Sequence, residues 1–443
     1  MVVDVAKESN HFSSALIFIL ASVGSAVGLG NFWRFPYLLG MNGGGSFLIS
    51  FVISVVIIGI PIMLLEISVG RNLRMPIIEL YRKKCKKYSF LSYIPLLVGF
   101  VLFSVYLVIA GWTLYYFIST LTGNFNTFDS LVLTYESVLY ALLALLLTAI
   151  PIFFGVKKGI EFASKLMVPI LFLIAMGLVA YSVTLPGFDQ AVDFYTTIDM
   201  DALFNLNHWI IAMSQAIFSL SVGYSLLLTY AMYNDEKESI LRDSLIISGL
   251  DVLIALLAGL FIFSVVFTFD YDVGQGPALA FIVLVSIFEV MEFGQIIGTA
   301  FFFCLFLAAL SSSISIFEYL LANFKNQFKL SRTKGVFILG ALVGLLSIPS
   351  ALSYTPYTFE MFGMPFLDAM DFYIVTLLTP LCVFSIVYMV YFLDKKVLIE
   401  EIDYGSKLKV AKYLYVWLKY AIPLIVIILI LNIIECKYYT EYK

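Results

Sequence analysis

Apolar runs of membrane-spanning length recur from one end of the sequence to the other, and no other feature restricts its fold as strongly. Crossing about 30 Å of hydrocarbon takes roughly 20 apolar residues in a helix. A window of that size places helices at roughly 12–38, 43–70, 89–122, 133–154, 163–184, 208–233, 240–269, 292–325, 333–349, 369–394 and 408–435. Eleven such segments in 443 residues, 62% of them hydrophobic and 13% charged, exclude a soluble domain and predict an all-α polytopic membrane protein. The lipid bilayer is then its solvent. No basic stripe suited to nucleic acid lies outside short loops. Cys85, Cys304, Cys382 and Cys436 lack a paired spacing, and His11 and His208 are the only histidines, so neither a disulfide framework nor an imidazole metal site is expected. Lys7 and Glu8 lead straight into a full-length span, so the first helix is expected to be retained rather than cleaved as a signal peptide.

The charges set an orientation. Arg71, Arg74, Arg82, Lys83, Lys84, Lys86 and Lys87 crowd the second connection, which the positive-inside rule makes cytoplasmic. Every second loop repeats the pattern: Lys157, Lys158 and Lys165; Lys237 and Arg242; Lys325, Lys329, Arg332 and Lys334; Lys395, Lys396, Lys407 and Lys409. The intervening loops lack Lys and Arg, and the long one carries Asp189, Asp193, Asp199 and Asp201. A multi-pass plasma-membrane protein with its N-terminus inside and, after an odd number of spans, its C-terminus outside is the expectation.

Two of the segments are poor continuous helices. Gly24 to Pro36 inserts Gly24, Gly28, Gly30, Asn31, Arg34 and Pro36 into the first, and Phe218 to Ser225 interrupts the sixth. Irregular backbone at membrane depth survives only where it is buried in protein or lines a cavity. Two interrupted helices, each opening a group of five, predict a pair of inverted repeats, 1–184 and 208–394, around a midplane site, with 408–435 standing outside them. All belong to one transporter domain, 1–443. The stretch Tyr271–Met291 is too apolar for a free loop and too short for a span, which predicts a re-entrant lid or an amphipathic surface helix.

A broken helix exposes amides that attract anions and carbonyls that attract cations. Leu29 and Gly30 would offer amides to a carboxylate; Gly24, Ala26 and Val27 would offer carbonyls to Na⁺ or an ammonium group. Gly24 and Gly28 also fit a G-x-x-x-G packing face. Asp251 lies in an apolar span with no basic neighbour, as a Na⁺ ligand, a proton carrier or a protonated interhelical bridge. Ala308, Ser311, Ser312 and Ser315 share one helical face, suited to a hard cation or to close helix packing. Arg34 and Asp371 are opposite charges at outer helix ends that can meet as a gate. Glu66 reads as a tie between helices, and Tyr106 as packing or a phenol aimed at a carboxylate.

Ala26–Tyr37 (AVGLGNFWRFPY), Asn42–Phe47 (NGGGSF) and Gly59–Arg71 (GIPIMLLEISVGR) resemble the signature of the neurotransmitter:sodium symporter family. The resemblance continues through Tyr106, Gly111–Trp112, Ser219–Gly223, Gly274–Pro277 and Ala308–Ser315, covering nearly the whole chain. It implies a leucine-transporter fold and Na⁺-coupled uptake of an amino acid by alternating access. It further implies a first Na⁺ site of Ala26, Asn31, Ser219, Asp251 and the substrate carboxylate, and a second of Gly24, Val27, Ala308, Ser311 and Ser312. The substrate carboxylate would meet Leu29, Gly30 and Tyr106, and the amine Ala26, Phe218 and Ser221. Leu102, Tyr224, Ser225, Ser312 and Ile316 would surround its side chain, with Ser219 alongside. Phe218 and Tyr106 would close the site beneath Arg34 and Asp371.

Where monoamine carriers of this family have Asp, this chain has Gly28, which implies an amino-acid substrate; Leu102, Tyr224 and Ile316 imply a hydrophobic one. Chloride is not expected to be required, because Asp251 supplies a fixed charge and, although Gln215 is retained, Phe51 and Ala255 bring no hydroxyls. The family's inner Arg–Asp gate is replaced by Ser9 and Asn326, so a hydrogen-bonded closure around Lys7, Tyr233 and Glu318 is expected. A substrate-binding sensor on the same fold, without net transport, is the alternative. No repeated filter segment points to a channel, and no nucleophile–base pair points to an enzyme.

Overall fold

The computed structural model describes residues 11–234, 238–274 and 279–440, with side chains in the last helix as far as Asn432. Lys7, Ser9, Lys237, Gln275, Gly276, Pro277 and the Cys436 side chain lie outside the described residues. Each of the eleven expected segments is helical. They are α1 (halves Ala15–Ala26 and Gly30–Met41), α2 (Gly45–Leu73), α3 (Tyr93–Leu121), α4 (Glu136–Gly155), α5 (Glu161–Ser182) and α6 (halves Leu206–Ser219 and Leu226–Ala231). There follow α7 (Ile240–Thr268), α8 (Gly294–Phe328), α9 (Arg332–Ala351), α10 (Phe366–Tyr391) and α11 (Ala411–Asn432). Among the described residues the only sheet is a two-residue pairing of Glu360–Met361 with Met364–Pro365, between α9 and α10.

A helix that is apolar all round either sits inside the bundle or faces lipid. Burial separates the two: 83% of the apolar window of α8 and 78% of that containing α3 lie inside, against 28% for the α4–α5 stretch and 28% for α11. The outer helices turn Leu139, Leu146, Phe154, Phe162 and Leu173 outward. A basic face, where the Lys- and Arg-bearing loops gather, and an acidic face follow from the alternation of loops. On the acidic face a wide turn, Leu279–Val283, runs into a short helix, Leu284–Val290. Its Phe281 packs on Trp33, Trp112 and Tyr116 with ring centroids 6.1, 5.9 and 5.8 Å away. The apolar run is thus a packed lid over that face.

Both predicted breaks are present. The halves of α1 meet at 48°, and α6 unwinds over Leu220–Ser225 with Ser221, Gly223 and Ser225 at φ 53°, 88° and 70°. Unwinding strips backbone groups of their partners, which at membrane depth costs several kcal/mol each unless something replaces them. In α1 the replacements are Asn31 Oδ1, which accepts from Gly28 N–H at 2.9 Å, and Tyr106 Oη, which accepts from Leu29 N–H at 3.3 Å. In α6 the replacement is Glu66 of α2. Its buried carboxylate accepts from the amides of Gly223 (2.7 Å), Ser225 (3.3 Å) and Leu228 (3.2 Å). Gly70, one turn along α2, permits this approach, because a Cβ there would lie 2.2 Å from the Leu228 carbonyl oxygen.

Truncating Glu66 removes the acceptor for three amides at once. Glu66→Ala is expected to lower the stability of detergent-solubilised protein by on the order of 3 kcal/mol or more, and Glu66→Gln, which keeps one oxygen, by less. Thermal melts of the purified variants measure both; equal melts for wild type and Glu66→Ala would remove the staple role.

Candidate functional site

The breaks of α1 and α6 face each other, with α3, α7 and α8 around them. Asp251 of α7 is fully buried. Ser219 donates its hydroxyl to Asp251 Oδ2 at 2.7 Å, and the Asn31 amide donates to Asp251 Oδ1 at 2.8 Å and to Ser219 Oγ at 3.1 Å. Asn31, Ser219 and Asp251, far apart in sequence, therefore meet beside the first break. Among the described residues no basic side chain forms an ion pair with Asp251.

A second oxygen cluster joins α1 to α8. Ser312 donates to the Val27 carbonyl at 3.3 Å, Ser311 lies 3.5 Å from the same oxygen, and Ser311 also donates to the Ala308 carbonyl at 3.0 Å. Gly24 faces both α5 and α8: a Cβ there would sit 3.1 Å from Val168 Cγ2, a tight approach, and 3.4 Å from Ser311 Cβ. Each donor is a neutral oxygen or a carbonyl, the set that suits a hard monovalent cation.

Between the clusters lies a chamber of about 30 Å³ lined by Ala26, Gly28, Gly30, Leu102, Tyr106, Phe218, Ser221, Tyr224, Leu226, Ser312 and Ile316. Most of the expected substrate residues are there. Ser225 is not among the residues lining the chamber; its amide donates to Glu66 at 3.3 Å and its carbonyl accepts from Thr229 Oγ1 at 2.9 Å. Ser219 belongs with Asp251 and does not line the chamber wall. Sequence reasoning passed over the Ser25 carbonyl, which accepts from Ser221 (2.9 Å) and Ser312 (3.2 Å) and so links both breaks to α8. The signal was its place within the glycine-rich stretch, one residue before Ala26.

Toward the acidic face a cavity of about 430 Å³ opens, and Leu102, Tyr106, Phe218 and Tyr224 line both spaces. Arg34 and Asp371 lie on its wall, but the expected contact between them is not made. The guanidinium instead donates to Gln215 Oε1 at 3.2 Å and stands 4.8 Å over the Phe218 ring, a cation–π placement that holds it on the α6 side.

On the basic face the described residues tie α1, α6 and α8 together. Phe12 donates its amide to the Tyr233 carbonyl at 2.9 Å and packs its ring on Tyr230 and Tyr233. Tyr233 donates to Glu318 at 2.7 Å, as the sequence suggested. Arg332, at the start of α9, was not anticipated: it holds both oxygens of Glu318 at 3.1 and 2.5 Å and reaches the Ile152 carbonyl at 2.6 Å. The available signal was a carboxylate in the inner half of an apolar helix, which demands a cation, with an arginine fourteen positions on. Asn326 bonds to Glu79 at 2.6 Å instead of joining this cluster.

Two broken helices facing each other across oxygen clusters at the centre of a helical bundle fit the architecture of a secondary transporter. The sequence matches the Sodium:neurotransmitter symporter family over residues 9–135 and 133–443, and the chain belongs to that family. It is 33% identical over 441 residues to YhdH of Bacillus subtilis (strain 168), an uncharacterised sodium-dependent transporter, covering 96% of this chain and 97% of that one. An uncharacterised sodium-dependent transporter of Methanocaldococcus jannaschii is 31% identical over 445 residues, covering 93% of this chain and 87% of the relative. Among solved structures, that of MhsT in complex with L-phenylalanine aligns with a TM-score of 0.87 at 33% identity, covering 96% of this chain and 99% of that one. The leucine-transporter fold, with its five-plus-five inverted repeat, is thus the fold of this multi-pass membrane protein.

Gly28 leaves no room for a side chain. A Cβ there would stand 2.5 Å from Ser312 Oγ and 2.9 Å from Tyr106 Oη. Gly28→Ala is expected to cost roughly 1–3 kcal/mol of stability through overpacking. In a thermal-melt double-mutant cycle, Ser312→Gly recovers part of that loss in the Gly28→Ala background; strictly additive effects would place the strain elsewhere.

Proposed function

We propose that the protein is a Na⁺-coupled symporter that carries a hydrophobic L-amino acid across the plasma membrane by alternating access. The observation that carries this reading is Asp251, a carboxylate buried at the broken centre of a membrane protein with only the neutral partners Asn31 and Ser219. Such a charge calls for a mobile cation. Ala26, Asn31, Ser219 and Asp251 would hold one Na⁺ together with the substrate carboxylate. Gly24, Val27, Ala308, Ser311 and Ser312 would hold a second. Leu29 and Gly30 amides and the Tyr106 phenol would take the carboxylate, while Ala26, Phe218 and Ser221 take the amine. The apolar walls Leu102, Tyr224 and Ile316 favour a hydrophobic side chain. The phenylalanine in the MhsT structure supports that choice. The fixed charge of Asp251 makes chloride unnecessary.

In this reading the basic face is cytoplasmic, with the N-terminus inside and the C-terminus outside. The halves 1–184 and 208–394 rock about the site, and α11 stays outside the repeats. Phe218 and Tyr106 close the outer side as Arg34 leaves Gln215 and swings to Asp371. On the inner side the closure is the Tyr233–Glu318–Arg332 cluster, which stands in for an Arg–Asp pair.

Reconstituted vesicles test the reading directly. An inward Na⁺ gradient is expected to drive accumulation of a hydrophobic L-amino acid, and Asp251→Ala is expected to reduce the apparent Na⁺ affinity at least about tenfold, the effect of losing roughly 1.4 kcal/mol. Undiminished uptake in Na⁺-free, K⁺-containing buffer would refute the coupling, and Na⁺-dependent binding without accumulation would make the protein a sensor. Separately, Arg332→Ala leaves Glu318 without its cation. Amide exchange over residues 11–26 is expected to quicken about tenfold, with the 128–134 segment unchanged; no change would remove Arg332 from the closure.

A further inference from the structure

The structure assigns Lys419 and Lys395, two cations that no carboxylate answers, to the headgroup of an anionic phospholipid in the leaflet on the basic face. Lys419 stands eight residues beyond the start of α11, about 12 Å along its axis. A charge within a span is costly unless it is paired or reaches an interface. Helical side chains lean toward the helix N-terminus, and that end of α11 adjoins the basic loop, so the ammonium group rises toward the headgroups. Three tyrosine rings surround it, with centroids 5.5 Å away for Tyr391 and 5.7 Å away for Tyr415 and Tyr420. Lys395, which opens the short helix Lys395–Asp403, stands 5.1 Å over Tyr415 as well, so two ammonium groups share one ring.

Cation–π contacts hold the ammonium groups in place and leave their charge uncancelled. The carboxylates nearby are engaged elsewhere. Glu400 pairs with Lys396 at 3.8 Å and Glu401 with Arg71 at 2.6 Å. Asp394 accepts from the Lys396 amide at 2.8 Å, and Asp403 from the Ala411 amide at 3.2 Å. Among the described residues neither Lys395 nor Lys419 forms an ion pair.

The surroundings fit a phospholipid from head to tail. Tyr391, Tyr413, Trp417 and Tyr420 are exposed, and these are the residue types that sit among headgroups. Further along α11, Leu424, Ile427, Ile428 and Leu431 make one exposed apolar stripe on which acyl chains can lie. A zwitterionic headgroup brings its own cation to rings already taken by lysine, whereas a headgroup with net negative charge answers both ammonium groups. The lipid lies where α11 is tied to α2 and α10: Trp417 Nε1 donates to the Ile57 carbonyl at 2.7 Å, and the Tyr391 hydroxyl donates to the Lys419 carbonyl.

Trp417, two residues from Lys419, serves as the reporter, because bromine on an acyl chain quenches indole fluorescence on contact. Trp33, Trp112 and Trp209 give a background common to all variants. The full chain is reconstituted in phosphatidylcholine vesicles containing a fraction of dibrominated phosphatidylglycerol or dibrominated phosphatidylcholine. Wild type is expected to prefer phosphatidylglycerol, by about fivefold for each lysine. Lys419→Gln and Lys395→Gln are each expected to reduce the preference about fivefold, and Lys419→Arg to retain it. Lys158→Gln, which removes a charge of the same face between α4 and α5, is expected to leave it unchanged. Equal quenching by the two lipids in wild type, or a preference intact in either of the first two Gln variants, overturns the inference. An equal loss in Lys158→Gln would make the preference a property of the whole face and overturns the site, and displacement of the brominated phosphatidylglycerol by inorganic phosphate would make a free anion the ligand.

Discussion

The structure depends on one constraint: two helices are interrupted inside the membrane, and the backbone groups freed by the interruption have to be answered by side chains. Glu66 answers for α6, while Asn31 and Tyr106 answer for α1. Because the answering groups come from α2, α3 and α1 itself, the breaks are fixed relative to the scaffold before any ligand arrives. Preorganisation of this kind reduces what binding must spend on ordering the site.

The same groups do two jobs. Tyr106 accepts from the Leu29 amide through its oxygen and also forms part of the chamber wall. Asn31 turns its carbonyl to Gly28 and its amide to Asp251, so one short side chain joins the backbone break to the buried charge. Ser312 touches the Ser25 and Val27 carbonyls and also forms part of the chamber wall. Each cluster is small, and the clusters overlap. A change in one is transmitted to the next through shared atoms and needs no long relay.

Much of this was legible in the sequence, for physical reasons. Hydrocarbon thickness fixes the length of a span, and the cost of irregular backbone in lipid makes Gly24–Pro36 and Phe218–Ser225 stand out as breaks. Asp251 declared itself by being a charge in an apolar run. Three features were not legible. Ser225 sits in the right stretch but is not among the residues lining the chamber, and its positive φ is not something composition reveals. Arg332 looked like one more loop cation, and only packing brings it over Glu318. Arg34 and Asp371 have complementary charges, yet Gln215 and the Phe218 ring compete for the guanidinium, and charge pairing on paper does not rank such competitors.

The carboxylate built into α7 has an electrical consequence. In the proposed cycle a cation against Asp251 makes a neutral pair and the cation of the second cluster adds one positive charge, so the loaded centre carries a single charge through the field. When the cation has left, a net negative charge remains in the wall and travels back with it. A full elementary charge crossing 100 mV is worth about 2.3 kcal/mol. Voltage would then act on both halves of the cycle: an interior-negative potential would draw the loaded centre inward and speed the return of the emptied protein.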